Sequence, residues 1–140
     1  MTRQELDYHW ELLQQLWENR ELLATMEAKA APRPRRLDGM PRVSGIGDPV
    51  GDLVTEIADL KERINDLETE IASSEVAVEA FIKTIADDRT RIIFRLRFLR
   101  GLAWGEVADI LGRRTTSDAV KSACYRYLAS SNMSRIKERR

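Results

Sequence analysis

Apolar residues near the start of the chain recur at spacings of three and four, which is the pattern of an amphipathic helix. The members of this stripe are Leu6, Trp10, Leu13, Leu16 and Trp17, followed after a gap by Leu23 and Ala24. Thr2 and Glu5 stand three residues apart, as in a capping box, and Pro32 is a helix breaker. The pattern predicts a helix over residues 3–31, which forms an N-terminal segment 1–31.

Two tryptophans and a histidine of that helix could be taken for a ligand site, but packing explains them better. Trp10 and Trp17 lie on the apolar stripe, so we expect both in a core and not in a ligand cage. His9 lies near the edge of the stripe, so we expect a partly buried surface residue.

A seven-residue apolar repeat runs through residues 50–86 and predicts one long coiled-coil-like helix. Its a positions are Ile57, Ile64, Ile71, Val78 and Ile85, and its d positions are Leu53, Leu60, Leu67, Ser74 and Phe81. We assign oligomerisation to the regular part of the repeat, which comprises Leu53, Ile57, Leu60, Ile64, Leu67 and Ile71. Two partners remain open: a second copy of the chain, giving a homodimer, or the N-terminal helix folded back as a hairpin.

Residues 32–49 hold all four prolines and three of the seven glycines, and they show no periodicity. This composition predicts a flexible linker between the two helices. Its arginines could contact DNA phosphates, although a solvated linker is the simpler interpretation; they are Arg33, Arg35, Arg36 and Arg42. Asp48 is a suitable N-cap for the long helix, and Pro49 suits its first position.

Shorter periodic segments follow within residues 87–140. The first has an apolar face of Ile92, Ile93, Leu96 and Leu99, with Phe94 and Phe98 on another side, and it ends at Gly101. The second covers residues 103–111 and ends at Gly112. We interpret Trp104, at the start of this second helix, as a packing anchor.

The third segment is a helix that Thr116 or Ser117 caps and that extends to about Ser130. Its core side is predicted to hold Val120, Ala123, Cys124, Tyr127 and Leu128. Two helices joined by a turn behind a supporting helix form a helix-turn-helix layout, whose last helix enters the major groove. The candidate DNA-binding residues on the turn and the outer face are Arg113, Arg114, Thr116, Ser117, Asp118, Lys121, Ser122, Tyr125 and Arg126.

Charge is distributed unevenly along the chain, although 23 basic residues balance 23 acidic ones overall. Residues 50–84 carry three basic and nine acidic residues, whereas residues 85–140 carry 13 and six. A basic C-terminal region suits a phosphate-binding surface. One Cys and one His exclude a disulfide framework and a Cys/His zinc site, and we expect no metal and no cofactor. The sequence shows neither a signal peptide nor a membrane span, so we expect a cytoplasmic protein without membrane contact.

The motifs IADDRTRIIFRLRFLRGLAWGEVADILG and DAVKSACYRYL, in residues 85–112 and 118–128, resemble region 4 of the sigma-70 family of RNA polymerase factors. In that family the region reads the −35 promoter element and touches the polymerase flap. The segment between Gly112 and Val120 is longer than in the sigma pattern, and nothing in the chain resembles region 2. A complete sigma factor is therefore not implied.

The whole layout, with helical segments ahead of this module, is similar to small sigma-like phage regulators, including late-operon activators of the ArpU and RinA type. That resemblance implies a phage or prophage transcription regulator, with double-stranded DNA and host RNA polymerase as partners.

We therefore expect an all-α protein: an N-terminal helix and a long coiled-coil-like helix, followed by a sigma-region-4-like helix-turn-helix domain. The favoured function is a promoter-binding activator that acts as a homodimer. Two alternatives remain, a phage small terminase subunit on packaging DNA and a polymerase-binding adaptor without DNA specificity. An enzyme is not expected, because the sequence contains no His, Cys or Gly-rich phosphate constellation.

Overall fold

The computed structural model describes residues 1–31 and 49–138, and within these ranges every regular element is helical. The helices are α1 (Arg3–Ala30), α2 (Pro49–Lys83), α3 (Asp88–Phe94), α4 (Trp104–Leu111) and α5 (Ser117–Glu138). A π-helical turn, Arg95–Leu99, continues α3. Residues 32–48 of the predicted linker, with its four arginines and the cap Asp48, lie outside the described residues, as do Arg139 and Arg140, whereas Pro49 is the first residue of α2.

The start of α1 is set by the capping box that the sequence predicts. The Thr2 amide donates to Glu5 Oε2 at 2.9 Å, and the Glu5 amide donates to Thr2 Oγ1 at 3.2 Å. These two bonds occupy amides that the first turn of a helix leaves without a partner. The prediction of a long N-terminal helix is confirmed.

The C-terminal end of α2 lies three residues earlier than predicted: the helix ends at Lys83 and not at residue 86. The Thr84 hydroxyl donates to the Phe81 carbonyl at 2.6 Å, and the chain then turns into α3. Asp87 caps α3, since its Oδ2 accepts from the Thr90 amide at 3.0 Å. The Thr90 hydroxyl donates to the same oxygen at 2.7 Å, and this bond, together with the amide bond, lowers the pKa of Asp87 because both favour the charged carboxylate.

The chain divides into two compact units. The first comprises residues 1–14 and 69–140, and the second residues 15–68. The core of the first unit joins residues from all five helices, namely Leu6, Val78, Phe81, Ile82, Ile85, Ile93, Phe94, Phe98, Val107, Ala108, Val120, Cys124 and Leu128. The first turns of α1 and the last turns of α2 therefore belong to the same core as the C-terminal helices.

Phe94 is the centre of this core. It is fully buried, and its ring packs against Phe81 at 5.9 Å, Phe98 at 5.6 Å and Tyr127 at 5.6 Å between centroids. The tilted and edge-to-face arrangements are those that aromatic quadrupoles favour.

The second unit is an antiparallel helical pair. Arg20 of α1 bonds to Glu68 of α2 at 2.7 Å, and Glu27 lies 3.4 Å from Lys61. Ile64 and Leu67 are buried, whereas the earlier heptad positions Leu53, Ile57 and Leu60 are only half-buried. Part of the heptad stripe is thus covered within the chain itself, and Ile71, in the first unit, is buried as well.

Several side chains lie elsewhere than predicted. Trp17 was expected in a core but is 63% exposed, and Ala123 of α5 is exposed. His9 was expected near the surface but is only 1% exposed, because α2 supplies Ser74 as its partner. Helical periodicity identified the apolar stripe, but the width of the covered face depends on neighbours that periodicity does not reveal.

Candidate nucleic-acid interface

The turn between α4 and α5 has an unusual backbone. Gly112, Arg113 and Arg114 all have positive φ angles, of 64°, 52° and 62°. The Thr115 amide donates to the Gly112 carbonyl at 3.1 Å, and its hydroxyl donates to the same oxygen at 2.5 Å. These contacts close a tight turn with both arginines at its tip. A left-handed conformation costs a residue other than glycine about 1–2 kcal/mol, so the turn holds this pair in a strained conformation.

Thr116 is the residue that caps α5. Its Oγ1 accepts from the Ala119 amide at 3.1 Å, which settles the choice between Thr116 and Ser117. Asp118 lies in the first turn, where a negative charge is favourable next to the positive end of the helix dipole. The start of α5 is therefore well fixed relative to the turn.

The outer face of α5 and the preceding turn are open to solvent. Eight of the nine predicted residues are exposed: Arg113, Arg114, Thr116, Ser117, Asp118, Lys121, Ser122 and Arg126. Among the residues that the structure describes, no carboxylate lies within ion-pair distance of the four cations in this set. These cations are thus available to an external anion.

Tyr125 differs from the other eight residues, because it is half-buried and faces α1. Its hydroxyl donates to Asp7 Oδ1 at 3.0 Å, and its ring packs edge-on against Trp104 at 5.9 Å. Burial and the bond to Asp7 raise the pKa of Tyr125. The prediction that Tyr125 lies on the exposed face is corrected: the structure gives it a packing role.

The first three turns of α1 hold the segment between the π turn and α4, which sequence reasoning missed. Trp10 Nε1 donates to the Leu102 carbonyl at 3.1 Å, and Gln14 Nε2 donates to the Gly101 carbonyl at 2.6 Å. Gly101 has φ 71°, and an added Cβ would lie 3.3 Å from Gln14 Nε2. The positive φ therefore favours glycine there, and any larger residue would also make a tight contact with Gln14.

Arg97 is a buried cation that joins these parts. Its guanidinium lies 3.7 Å from the ring centroid of Trp10 and 4.3 Å from that of Trp104, and Nη1 donates to the Leu102 carbonyl at 3.0 Å. Desolvation lowers its pKa, although an arginine stays charged at neutral pH. The only sequence signal for this arrangement is that Arg97 lies within the run of apolar residues that forms the core side of its helix.

The π turn explains how Arg97 reaches this position. The Arg100 amide donates to the Arg95 carbonyl at 3.0 Å, five residues back, in place of the usual four. One extra residue in the turn shifts the following side chains around the helix axis, and Arg97 and Phe98 are both buried.

No other chemistry is apparent in the described part of the chain. Cys124 is fully buried, and burial raises the pKa of its thiol to about 12, so it fills the core as predicted. The described residues contain no group of His, Cys, Asp or Glu that could hold a metal ion. They also contain no helix that is both long and apolar enough to cross a membrane.

No protein-family model matches the chain, and comparison with curated proteins and with solved structures finds no significant match.

Proposed function

We propose that this chain is a sequence-specific transcription regulator that binds double-stranded DNA with α5 and the turn before it. The observation that carries the proposal is the placement of four exposed cations on the turn and on the solvent-exposed side of α5, none of them in an ion pair with a described residue and two of them in a strained left-handed backbone. Strain of this kind concentrates at binding sites, where the surrounding structure maintains it.

The contacts divide by position. Arg113 and Arg114, at the tip of the turn, bind phosphates and set the register of the protein on the duplex. Lys121, Ser122 and Arg126 lie on the outer face of α5 and reach base edges, where a lysine or arginine suits the guanine acceptors O6 and N7. The hydroxyl of Thr116 caps α5, so its role is to orient the helix.

The wider proposal is a phage or prophage activator that acts in the cytoplasm at a promoter with host RNA polymerase. It rests on the sequence resemblance to sigma region 4, since residues 85–128 supply that likeness. The second unit suits a protein contact, because its described residues carry nine acidic and four basic side chains. Leu53, Ile57 and Leu60 are half-buried and Val54 is 55% exposed, which leaves apolar surface for pairing with a second copy.

The first experiment is retention of sheared DNA from the source genome on the purified protein, followed by sequencing. We expect enrichment of one or two sites upstream of a block of genes. Anisotropy titrations on such a site should then show that Lys121→Ala and Arg126→Ala each weaken binding about tenfold, as expected for one charge-assisted contact.

The matched control is Lys83→Ala, which removes an exposed lysine from the last turn of α2, outside the proposed face. Unchanged affinity in both α5 variants would contradict the docking face. Enrichment beside packaging genes together with a ring-sized assembly in light scattering would favour the terminase alternative. Failure to retain any DNA at low salt would remove the basis of the DNA-binding proposal and leave the adaptor.

A further inference from the structure

Arg3, in the first turn of α1, lies against the helix that we propose reads DNA. Its guanidinium carbon is 3.6 Å from the centroid of the Tyr125 ring, which is the distance of a stacked cation–π contact. The side chain of Arg3 is 58% exposed, so the guanidinium covers the ring and also faces solvent. More than 110 residues of sequence separate these two side chains, and only the fold brings them together.

The position of Arg3 is fixed from two sides. Asp7, one turn later on α1, accepts the Tyr125 hydroxyl at 3.0 Å and lies 3.5 Å from Arg3 Nε. Trp10 and Gln14 attach the next two turns of α1 to the carbonyls of Leu102 and Gly101. Arg3 therefore belongs to a helix that is anchored to the α3–α4 segment and to α5.

Tyr125 lies one helical turn after Lys121 and Ser122, so their Cβ atoms are about 5–6 Å apart on the helix surface. A cation stacked on Tyr125 consequently borders the face that carries Lys121. The contact with Asp7 Oδ2 runs through Arg3 Nε at 3.5 Å, and the side chain of Arg3 is more than half exposed, so its guanidinium is accessible to an external acceptor. The planar fork of donors on a guanidinium matches the geometry of a phosphate group.

We propose that Arg3 is a phosphate-binding residue of the DNA interface, held at the edge of α5 by stacking on Tyr125. The ligand is a backbone phosphate of double-stranded DNA next to the groove that α5 occupies. Tyr125 is then a positioning residue, whose ring supports Arg3 and whose hydroxyl is bound to Asp7. This inference rests on the proposed DNA-binding function.

The test measures the affinity for a labelled mixed-sequence duplex between about 0.05 and 0.2 M NaCl, a range in which counterion release dominates. Arg3→Gln keeps part of the side chain but removes the charge. It should lower the slope of log affinity against log salt by about 0.9, which corresponds to one lost phosphate contact. The affinity itself should fall about fivefold at low salt. Arg3→Lys, which restores the charge, should recover most of the slope.

Arg89→Gln is the control, since Arg89 is an exposed arginine in the first turn of α3 that we assign to no contact. Its slope should equal that of the unmodified protein. Tyr125→Phe keeps the ring under Arg3 and loses only the bond to Asp7. Its slope of log affinity against log salt should therefore stay close to that of the unmodified protein. Thermal melting of each variant identifies any that fail to fold.

The outcomes separate the two proposals. If the unmodified protein does not bind the duplex at low salt, both the DNA-binding function and this inference are overturned. If it binds, and Arg114→Ala lowers the slope while folded Arg3→Gln does not, only the role of Arg3 is overturned. If Arg3→Gln lowers the slope and Arg3→Lys restores it, the phosphate contact is supported, because a purely structural role would not follow the charge.

Discussion

At the scale of single residues, the first unit encloses two polar side chains that would normally lie at the surface. Arg97 keeps its charge between two indole rings, where cation–π contact and a carbonyl replace water. The Nδ1 atom of His9 lies 2.5 Å from Ser74 Oγ. Desolvation lowers the pKa of His9 from 6.5, and Glu75 and the backbone of Phe98 oppose this shift only in part, so burial favours the neutral ring. The core thus accommodates Arg97 as a cation on aromatic rings and His9 as a neutral, hydrogen-bonded ring.

The lowered pKa of His9 predicts that acid destabilises the protein before its carboxylates titrate. The unfolded chain binds a proton near pH 6.5, whereas the folded chain binds it only at lower pH. The contribution of neutral His9 to the free energy of unfolding is fully present above about pH 6.5, and it is lost as the pH falls below that value. The melting temperature should therefore be lower at about pH 5.5 than at about pH 7.5.

His9→Gln is the comparison, because glutamine can still bond to Ser74 but does not titrate. Its melting temperature should change less between the two pH values. Equal changes in the two proteins would show that His9 does not cause the pH dependence.

At the scale of elements, the turn Gly112–Thr115 connects α4 and α5 at a cost in stability. Its central residues both need the left-handed conformation, which the sequence Asn-Gly adopts far more readily than Arg-Arg. The arginines thus contribute something other than stability at these positions, and the proposed phosphate contact is such a contribution.

Replacing Arg114 by glycine should stabilise the protein while weakening DNA binding. Relief of the left-handed strain at φ 62° is expected to raise the free energy of unfolding by about 1 kcal/mol. Urea unfolding measures this change, and anisotropy on duplex DNA measures the loss of affinity.

Arg114→Ala separates the two effects, because alanine removes the charge but keeps the strain. It should weaken DNA binding as much as glycine does and give no gain in stability. The same stability in the alanine and glycine variants would mean that the turn is not strained at this position.

The sequence predicts an element well where local signals define its ends, and poorly where tertiary contacts decide which side chains are buried. The start of α1, the end of the π turn and the end of α4 follow from local signals, namely the Thr2–Glu5 box and the glycines at 101 and 112. Trp10 and Trp17 share one stripe, yet only Trp10 meets a partner, the Leu102 carbonyl. Tertiary contacts decide between them, and periodicity carries no information about those contacts.

The candidate site was predictable to a similar degree. The exposed face of α5 follows from counting 100° per residue, since Val120, Cys124 and Leu128 are buried as expected. Tyr125 lies on the flank of that face, where α1 covers it, and the sequence gives no sign that Asp7 and Arg3 approach it. The π turn, which brings Arg97 between two tryptophans, was also not predicted from the sequence.

At the scale of the whole molecule, the first unit is assembled from the beginning and the later part of the chain. Leu6 of α1 is fully buried in a core that otherwise comes from residues 78–128. The helices α3, α4 and α5 therefore do not enclose their own core, and the proposed DNA-binding surface depends on residues far from it in sequence.

A fragment of residues 87–140 should consequently fail to fold by itself. It lacks Leu6 and the α2 residues Val78, Phe81 and Ile82, which leaves the Phe94 side of the core open to water. Thermal melting followed by circular dichroism should show a cooperative transition for the full chain and none for the fragment.

A single substitution tests the same dependence in the intact chain. Leu6→Ala should lower the free energy of unfolding by about 2–5 kcal/mol, as for other fully buried leucines. Leu22→Ala, at a half-exposed position of the second unit, should change it little. A fragment that melts cooperatively near the temperature of the full chain would contradict the shared core.

The hydrogen bond between Asp7 and Tyr125 joins residues 118 positions apart, so it can form only late in synthesis on the ribosome. At about 5–20 residues per second, Leu6 emerges on the order of ten seconds before its partners on α5 are synthesised. A chain interrupted before Leu128 has no complete core and cannot hold α5 against α1. Under the function proposed above, incomplete translation products would lack the assembled α5 surface and would not compete with the folded protein for DNA.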